Sequence, residues 1–236
     1  MRGLGMKYRI MEQTRPGGLV EQVYREVLAP AFPAEELESE AGVIETLEAG
    51  LGSLLVAVDD AGRPAGAAFG RWSEASRVQL LAYLAVKPST RGHGLGGRLL
   101  RDAVEAWRER YDPCMIVAEV ESPDAPAVHE AYGDPRRRLA FYENAGARAL
   151  DLPYFQPGMG GPARRVQGML LLVLHADPSF TQEGADRLAG GPLRTFMEAY
   201  LESAEGARPT DWDAKALFKA IDQEGGIPMG RTETDR

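Results

Sequence analysis

The stretch LAVKPSTRGHGLGGRLL, residues 84–100, places four glycines between an apolar run and an amphipathic segment. The run Val78–Val86 predicts a strand that ends before Pro88, because proline lacks the N–H group that a strand ladder uses. Apolar residues then recur at helical spacing and predict one buried stripe, formed by Leu95, Leu99, Leu100, Ala103, Val104 and Trp107. The sequence therefore predicts a strand, a glycine-rich turn and a helix in direct succession.

Glycines at the start of a helix favour the binding of an anion. The first N–H groups of a helix have no acceptor within it, missing Cβ atoms let a ligand approach them, and the helix dipole adds partial positive charge. Positive side chains stand nearby at Lys87, Arg98 and Arg101. We predict that a diphosphate binds this turn, which comprises Arg91, Gly92, His93, Gly94, Leu95, Gly96 and Gly97. The alternative is that the glycines only form a tight loop.

The turn also fits G-x-G-x-x-G, the phosphate-binding pattern of dinucleotide folds, through Gly92, Gly94 and Gly97. Glu119 and Glu121 follow roughly 20 residues later, where such a fold places a ribose contact. Against this alternative, residues 87–91 separate the strand from the first glycine. About 80 residues that include a predicted antiparallel hairpin also precede the motif, whereas the pattern usually follows the first strand. Dinucleotide binding is therefore the less favoured interpretation.

The remaining periodicity predicts a mixed α/β domain. Strands are expected at 7–11, 54–58, 65–71, 115–120, 148–152 and 166–175, and helices at 19–27, 35–49 and 135–144. The turn at 59–62 joins two of these strands into a hairpin, and Gly146 ends the last of these helices. The final dozen residues, 225–236, are glycine-rich and charged, and we expect them to be disordered.

The composition changes beyond Asp177. Residues 177–236 contain 12 acidic and 7 basic residues, so this segment contributes −5 to the net charge of −8. It has two amphipathic stripes, which comprise Leu193, Phe196, Met197, Tyr200 and Leu201, then Ala214, Leu217, Phe218 and Ile221. We predict a domain at 1–176 and an acidic helical extension at 177–236. The stripes must pack against the first domain or a second copy of the chain, so a homodimer is an open alternative.

Charge and composition argue against several kinds of partner. With 27 basic and 35 acidic residues, the chain lacks the positive field that attracts nucleic acid or anionic membranes. The longest apolar run, Met169–Ala176, is too short to cross a bilayer. The start of the sequence does not resemble a secretory signal, and Cys114 has no second cysteine to pair with, so we expect a cytoplasmic protein. We expect no bound metal, because the possible ligands are too scattered along the sequence for a metal site: His93, His129, His175 and Cys114.

Two blocks of the sequence resemble one known family. Arg91, Gly94 and Gly96 fit the pattern R-x-x-G-x-G after the strand LAYLAVKP, residues 81–88, and the block RRLAFYENAGAR at 137–148 places Tyr142 before a glycine. The chain thus resembles the GNAT superfamily of N-acetyltransferases over roughly its first three quarters. The resemblance implies a GNAT-like mixed, mostly antiparallel sheet flanked by helices, with acetyl-CoA as the acyl donor.

The resemblance also implies roles for individual residues. Leu84 and Val86 would contact the pantetheine arm, and the Val86 N–H would polarise the thioester carbonyl, because a preorganised donor stabilises the charge that develops there. Tyr142 would bind the cofactor and protonate the departing CoA thiolate, since a tyrosine with a pKa of about 10 keeps its proton at neutral pH. The alternative for each residue is simple packing in a strand or helix.

The attacking amine must lose a proton, and two carboxylates are candidates to accept this proton or to contact the amine. Val117, Glu119 and Glu121 share one face of the predicted strand, near its carboxyl end, where ligands of open sheets gather. Partial desolvation there favours proton uptake by a carboxylate. We predict Glu119 as the base and Glu121 as a substrate contact. Two alternatives stay open: a chain of water molecules could accept the proton in place of Glu119, and Glu121 could be a solvated carboxylate with no role at the site.

The connection between the last two predicted strands contains Tyr154, Phe155 and Gln156. In GNAT-like folds this connection borders the acceptor, so we predict that Tyr154 and Gln156 shape the acceptor site, with packing as the alternative. The sequence therefore predicts transfer of an acetyl group from acetyl-CoA to a primary amine, on a small molecule or a protein, by direct attack in a ternary complex. The alternative is a non-catalytic CoA-binding sensor or interaction module on the same fold.

Overall fold

The computed structural model describes residues 7–34, 36–125, 133–158, 165–182 and 186–230. The chain forms two compact units. The first, the N-terminal unit, comprises residues 1–71 and 81–109, and the second, the C-terminal unit, comprises residues 72–80 and 110–236. The fold is mixed α/β with mostly antiparallel strands, as the sequence predicts.

Antiparallel strands form the sheet of the N-terminal unit. The strands of this part of the chain are β1 (Arg9–Gln13), β2 (Gly52–Val58), β3 (Pro64–Ser73) and β4 (Val78–Val86). β2 pairs antiparallel with both β1 and β3. At the predicted hairpin turn, Asp59 accepts hydrogen bonds from the N–H groups of Ala61 and Arg63, each at 2.9 Å, and Gly62 adopts a φ of 78°. The hairpin prediction is therefore confirmed.

Three α-helices accompany these strands: α1 (Gly18–Val23), α2 (Glu40–Glu48) and α3 (Leu95–Tyr111). A π-helical turn, Tyr24–Leu28, continues α1, and a 3₁₀ turn, Pro88–Thr90, follows β4. The sequence-based start of α2 at residue 35 is wrong. The helix begins at Glu40 because the Ser39 side chain accepts the Gly42 N–H at 3.1 Å and so caps it.

The predicted apolar stripe of α3 is buried, except that Val104 is half-buried. At the far end of the stripe, the Trp107 ring N–H donates to Ser53 Oγ at 2.9 Å, and Ser53 in turn donates to Glu12 Oε1 at 2.8 Å. The buried indole thus has a polar partner as well as apolar contacts. This anchoring fixes where α3, and the turn before it, lie on the strands of the N-terminal unit.

Gly66 allows β3, β4 and α3 to approach closely. A Cβ atom there would lie 2.8 Å from Val86 Cγ1, 2.9 Å from the Ala85 carbonyl oxygen and 2.9 Å from Leu99 Cδ1. We expect Gly66→Ala to lower the free energy of unfolding by about 1–3 kcal/mol, because the backbone oxygen cannot yield without moving β4. Gly18→Ala is the control, since a Cβ atom there meets nothing within 4 Å. Urea unfolding of both variants measures the difference, and equal stabilities would contradict this account of the packing.

The C-terminal unit contains strands β5 (Met115–Glu121), β6 (Arg148–Leu150), β7 (Met169–Ala176), β8 (Arg187–Leu188) and β9 (Ile227–Gly230). They lie in the order β5-β7-β6-β9-β8, and each strand is antiparallel to its neighbours in this order. Helix α4 (Pro135–Asn144) begins after Asp134, whose side chain accepts the Arg136 N–H at 2.9 Å. The strand predicted at 148–152 ends earlier, at Leu150, and the strand predicted at 166–175 begins later, at Met169. Residues 151–168 belong to the connection between the two strands.

Two further helices, α5 (Gly190–Glu205) and α6 (Trp212–Ile221), follow in the same unit. Their predicted stripes are largely buried, and β9 pairs with both β6 and β8.

The expectation of disorder from residue 225 is wrong for 225–230. Gly225 and Gly226, each with a φ of 80°, form a turn that leads into β9, where Ile227 and Met229 are buried. The division at residues 176 and 177 into a catalytic domain and an extension stays a prediction.

Within the described ranges, we find no helix with the length and apolar character needed to cross a membrane.

Candidate functional site

The glycine turn of the N-terminal unit leaves open space at the start of α3. Gly92 and Gly94 have φ angles of 81° and 75°, which residues with a side chain rarely adopt. A Cβ atom at Gly92, Gly94 or Gly97 would meet no atom within 4 Å. Packing within the described residues therefore does not require glycine at Gly97, and the first turn of α3 is open on this side. The geometry therefore fits a ligand that approaches the backbone closely.

Hydrogen bonds fix this turn to the neighbouring strands. The buried Thr90 hydroxyl lies 2.8 Å from the Lys87 carbonyl oxygen and 3.2 Å from that of Ala65, and the Lys87 N–H donates to Ala65 at 2.8 Å. On the helical side, the Arg98 N–H donates to the Gly94 carbonyl at 3.0 Å. The N–H groups that precede Arg98 in the first turn have no acceptor within the helix. They are the donors that an anion would use.

The positive side chains near the turn are largely engaged in contacts of their own. Lys87 Nζ lies 2.6 Å from Glu26 Oε2, and Arg98 donates to the Tyr8 carbonyl at 2.8 Å and lies 3.6 Å from Asp102. The predicted positive field is therefore partly neutralised by carboxylates. Arg91 is exposed within the turn itself, as is His93. The backbone amides of the turn and the exposed Arg91 are therefore the groups that a predicted anion would meet.

The second half of β4 exposes one face. Tyr83 and Ala85 are buried, whereas Ala82, Leu84 and Val86 alternate with them and are half-buried. Since successive side chains of a strand point to opposite faces, Leu84 and Val86 lie on one side of β4 that the protein leaves partly uncovered. The structure places them directly before the turn that carries Arg91. The role of the Val86 N–H stays a prediction.

In the C-terminal unit, the half-buried Glu119 accepts hydrogen bonds from three side chains. The Tyr154 hydroxyl donates to Oε1 at 2.5 Å, the Tyr200 hydroxyl donates to Oε2 at 3.2 Å, and the Gln156 amide lies 3.5 Å from Oε2. The structure thus brings together Glu119, Tyr154 and Gln156, which the sequence predicted separately as base and acceptor-site residues. Three donors stabilise the ionised carboxylate and hold it in one orientation.

Tyr154 is the buried donor of this network. Burial raises the pKa of its hydroxyl well above the usual range, and the neighbouring negative charge of Glu119 raises it further. Tyr154 therefore keeps its proton at neutral pH and serves as a permanent hydrogen-bond donor to Glu119.

Glu121 and Tyr142 are linked through one arginine. Arg138 Nη1 lies 3.6 Å from Glu121 Oε2, and the Glu121 side chain is only 14% exposed. Arg138 stands one helical turn before the buried Tyr142 on α4. Burial raises the pKa of Tyr142 to about 12, and the positive charge of Arg138 opposes that rise. Tyr142 is therefore protonated at neutral pH, as its predicted role requires, while Glu121 is engaged with Arg138.

Tyr200 was not predicted from the sequence as a site residue. It belongs to the apolar stripe of α5. Its hydroxyl group is the one feature that separates it from the leucine, phenylalanine and methionine residues of that stripe. The structure shows that this hydroxyl reaches Glu119 from 81 residues further along the chain.

Cys114 and the histidines are the remaining candidates. The buried Cys114 lies 3.0 Å from the Arg77 carbonyl oxygen, and burial raises the pKa of its thiol, which disfavours a nucleophilic thiolate. His129 lies outside the described residues. No cluster of three or more metal-ligating side chains occurs among the described residues.

Comparisons with known proteins identify the fold. The family model of the acetyltransferase (GNAT) domain matches residues 50–146. A solved structure from Bacteroides thetaiotaomicron, described as an acetyltransferase of the GNAT family, is 23% identical with a TM-score of 0.53, and the match covers 72% of this chain and 87% of that chain. One from Acinetobacter baylyi ADP1, described as an acetyltransferase, is 16% identical with a TM-score of 0.52, covering 75% and 98% respectively.

At these identities the structural likeness shows the fold alone. No curated protein matches the sequence significantly. The family match spans the glycine turn, Glu119 and Tyr142, so it includes the first block that carried the sequence resemblance and residues 137–146 of the second. The resemblance is therefore confirmed: this chain carries a GNAT acetyltransferase domain over residues 50–146.

Proposed function

We propose that this protein is an acyl-CoA-dependent N-acyltransferase, which moves an acetyl group from acetyl-CoA to a primary amine by direct attack in a ternary complex. The observation that carries the proposal is the glycine turn, where Gly92 and Gly94 have positive φ angles and a Cβ atom at Gly97 would meet only open space. Such a turn at a helix start accommodates a diphosphate, because that anion needs bare backbone N–H groups and close approach.

The residues of the turn from Arg91 to Gly97 would hold the diphosphate of acetyl-CoA, and Leu84 and Val86 would contact its pantetheine arm. When bound, this cofactor supplies an activated acyl group as a thioester. The Val86 N–H would donate to the thioester oxygen, where negative charge grows as the amine attacks. A fixed donor stabilises that charge more than it stabilises the ground state.

Glu119 is the group we assign to the amine proton. Tyr154 and Tyr200 orient its carboxylate, so that it both attracts an ammonium and accepts the proton that the attacking nitrogen loses. Glu121 lies on the same face of β5, and because Arg138 offsets its charge, its carboxylate would contact the acceptor mainly as a hydrogen-bond acceptor. Gln156 and Tyr154 would border this acceptor, which is a small-molecule or protein amine.

A thiol-release assay with acetyl-CoA and a panel of amines, peptides and lysine-rich proteins tests the proposed activity. We expect release of free CoA that depends on at least one amine. CoA binding without turnover across the whole panel would instead favour a sensor. Thermal melts separate the dinucleotide alternative, since a ligand that binds the native state raises the midpoint. We expect a rise with acetyl-CoA and none with NADH.

Tyr142→Phe tests the assigned proton donor. We expect kcat to fall by about 10²-fold, because the hydroxyl that would protonate the thiolate is lost, and acetyl-CoA affinity to change much less, because the ring that would contact the cofactor stays packed. Steady-state kinetics measures both quantities. Tyr111→Phe is the matched control, since Tyr111 stacks on Trp72 with 4.9 Å between ring centroids and has no assigned role. An unchanged kcat in Tyr142→Phe would remove Tyr142 from the mechanism.

A further inference from the structure

The segment beyond Asp177 reaches the Glu119 carboxylate directly. The Tyr154 hydroxyl donates a hydrogen bond to Oε1, and the hydroxyl of Tyr200, in the middle of α5, donates one to Oε2 at 3.2 Å. The Tyr200 ring is itself fixed, because it stacks on the Phe196 ring with 5.4 Å between centroids. The closer of the two donors to Oε2 therefore comes from outside the predicted catalytic domain, residues 1–176, while the Gln156 amide lies 3.5 Å from the same oxygen.

An arginine clamp holds α5 in this place. Arg165, in the connection between β6 and β7, forms paired hydrogen bonds to both oxygens of Glu205 at 2.7 and 2.8 Å and to both oxygens of Asp211 at 2.7 and 2.8 Å. Its guanidinium lies 4.3 Å from the centroid of the Phe155 ring. Glu205 is the last residue of α5 and Asp211 caps α6, so one side chain fastens both helices.

The clamp lies within the same connection as the other donors to Glu119. Val166, next to Arg165, exchanges backbone hydrogen bonds with Gln156 at 2.9 and 3.0 Å. Phe155, on which Arg165 stacks, is flanked by Tyr154 and Gln156, both of which contact Glu119. The side chains of Arg165 and Glu205 are only 17% and 21% exposed, so solvent screens this pair weakly, whereas Asp211 is 47% exposed. The connection and α5 thus meet at the carboxylate as one assembly.

We propose that Tyr200 is a positioning residue for Glu119, and that the segment beyond Asp177 completes the acceptor side of the site through it. This inference rests on the proposed function, in which Glu119 receives the amine proton. A hydroxyl that donates to a carboxylate stabilises its ionised form and limits its rotation. Loss of the Tyr200 hydroxyl therefore strengthens proton binding at Glu119 and makes the orientation of its carboxylate less fixed. The residues assigned to the diphosphate, from Arg91 to Gly97, stay unchanged.

Tyr200→Phe tests the positioning role in the full-length protein, because the ring and its stacking on Phe196 are kept. We expect kcat/KM for the amine to fall about tenfold, since correct placement of a general base contributes a share of its effect. The acidic limb of the pH profile should move to higher pH, while KM for acetyl-CoA stays within about twofold of wild type. Wild-type rates and an unshifted acidic limb would overturn the proposal.

A second measurement does not depend on turnover. Titration of the Glu119 side-chain carbon by ¹³C NMR should show a midpoint at higher pH in Tyr200→Phe than in wild type. Equal midpoints would contradict the role of Tyr200 even if no acceptor amine has been found. An inactive wild-type protein whose Glu119 midpoint still shifts would leave the positioning contact intact and refute the proposed function alone.

Arg165→Gln tests the clamp. We expect the same displacement of the acidic limb as in Tyr200→Phe, because α5 is no longer held against the connection. Arg194→Gln is the control, since Arg194 also pairs with carboxylates of the C-terminal unit, Glu198 and Asp222, and does not contact Glu119 within the described structure. An unshifted limb in Arg165→Gln, or the same displacement in the control as in Arg165→Gln, would overturn the assignment of the clamp.

Discussion

Gly94→Val is expected to weaken acetyl-CoA binding at least about 100-fold, because two or more hydrogen bonds to a charged diphosphate would be lost. Gly94 has a φ of 75°, which a β-branched residue resists, and valine would also fill the open space next to the first turn of α3. Isothermal titration calorimetry with acetyl-CoA measures the affinity directly. Circular dichroism of the same samples shows whether the fold is kept.

Gly50→Val is a closely matched control for this prediction. Gly50 follows α2 with a φ of 72°, and a Cβ atom there would also meet nothing within 4 Å. The two substitutions therefore impose the same kind of backbone strain and differ only in location. We expect Gly50→Val to lose stability but keep wild-type affinity for acetyl-CoA. Equal affinities in both variants, whether kept or lost, would contradict the assignment of the diphosphate to the Arg91–Gly97 turn.

Glu119→Gln is expected to lower kcat about 10²- to 10³-fold at saturating acetyl-CoA and amine, since a general base contributes effects of this size. The amide is nearly isosteric with the carboxylate and can still accept a hydrogen bond from Tyr154, so packing is retained. It cannot accept the proton of the attacking amine. Affinity for acetyl-CoA should not change, because the assigned diphosphate site is the glycine turn.

Glu121→Gln gives the comparison for Glu119. Its carboxylate lies on the same strand but contacts Arg138, and we assign it to substrate contact, so we expect a higher KM for the amine and a change in kcat of less than about tenfold. Stopped-flow measurement of thiol release resolves the two effects. A larger loss of kcat in Glu121→Gln than in Glu119→Gln would transfer the role of base to Glu121.

Local patterns predicted the strand, turn and helix around Arg91 correctly. The apolar run of β4, the break at Pro88 and the stripe of α3 each follow from residues close in sequence. The positive φ angles at Gly92 and Gly94 agree with what glycine-rich turns require. These features could be predicted because their physical causes, side-chain periodicity and backbone freedom, act over a few residues.

Features that depend on distant partners were missed or wrong. The positive charge of Lys87 looked available to a ligand, but Glu26, 61 residues away, pairs with it. Gly225 and Gly226 suggested disorder, whereas pairing of β9 with β6 and β8 orders the chain around them. Tyr200 reads as one more member of an apolar stripe, because no local signal shows that its hydroxyl meets Glu119. Hydrogen bonds between residues far apart in sequence arise only from the folded arrangement.

The central claim is that backbone amides at the start of α3 bind the diphosphate of coenzyme A. A crystal structure of the protein with CoA tests it most directly. The account predicts phosphate oxygens at about 3 Å from N–H groups of the Arg91–Gly97 turn, within ordinary hydrogen-bond distance. A complex in which the diphosphate lies elsewhere, with no contact to this turn, would contradict it.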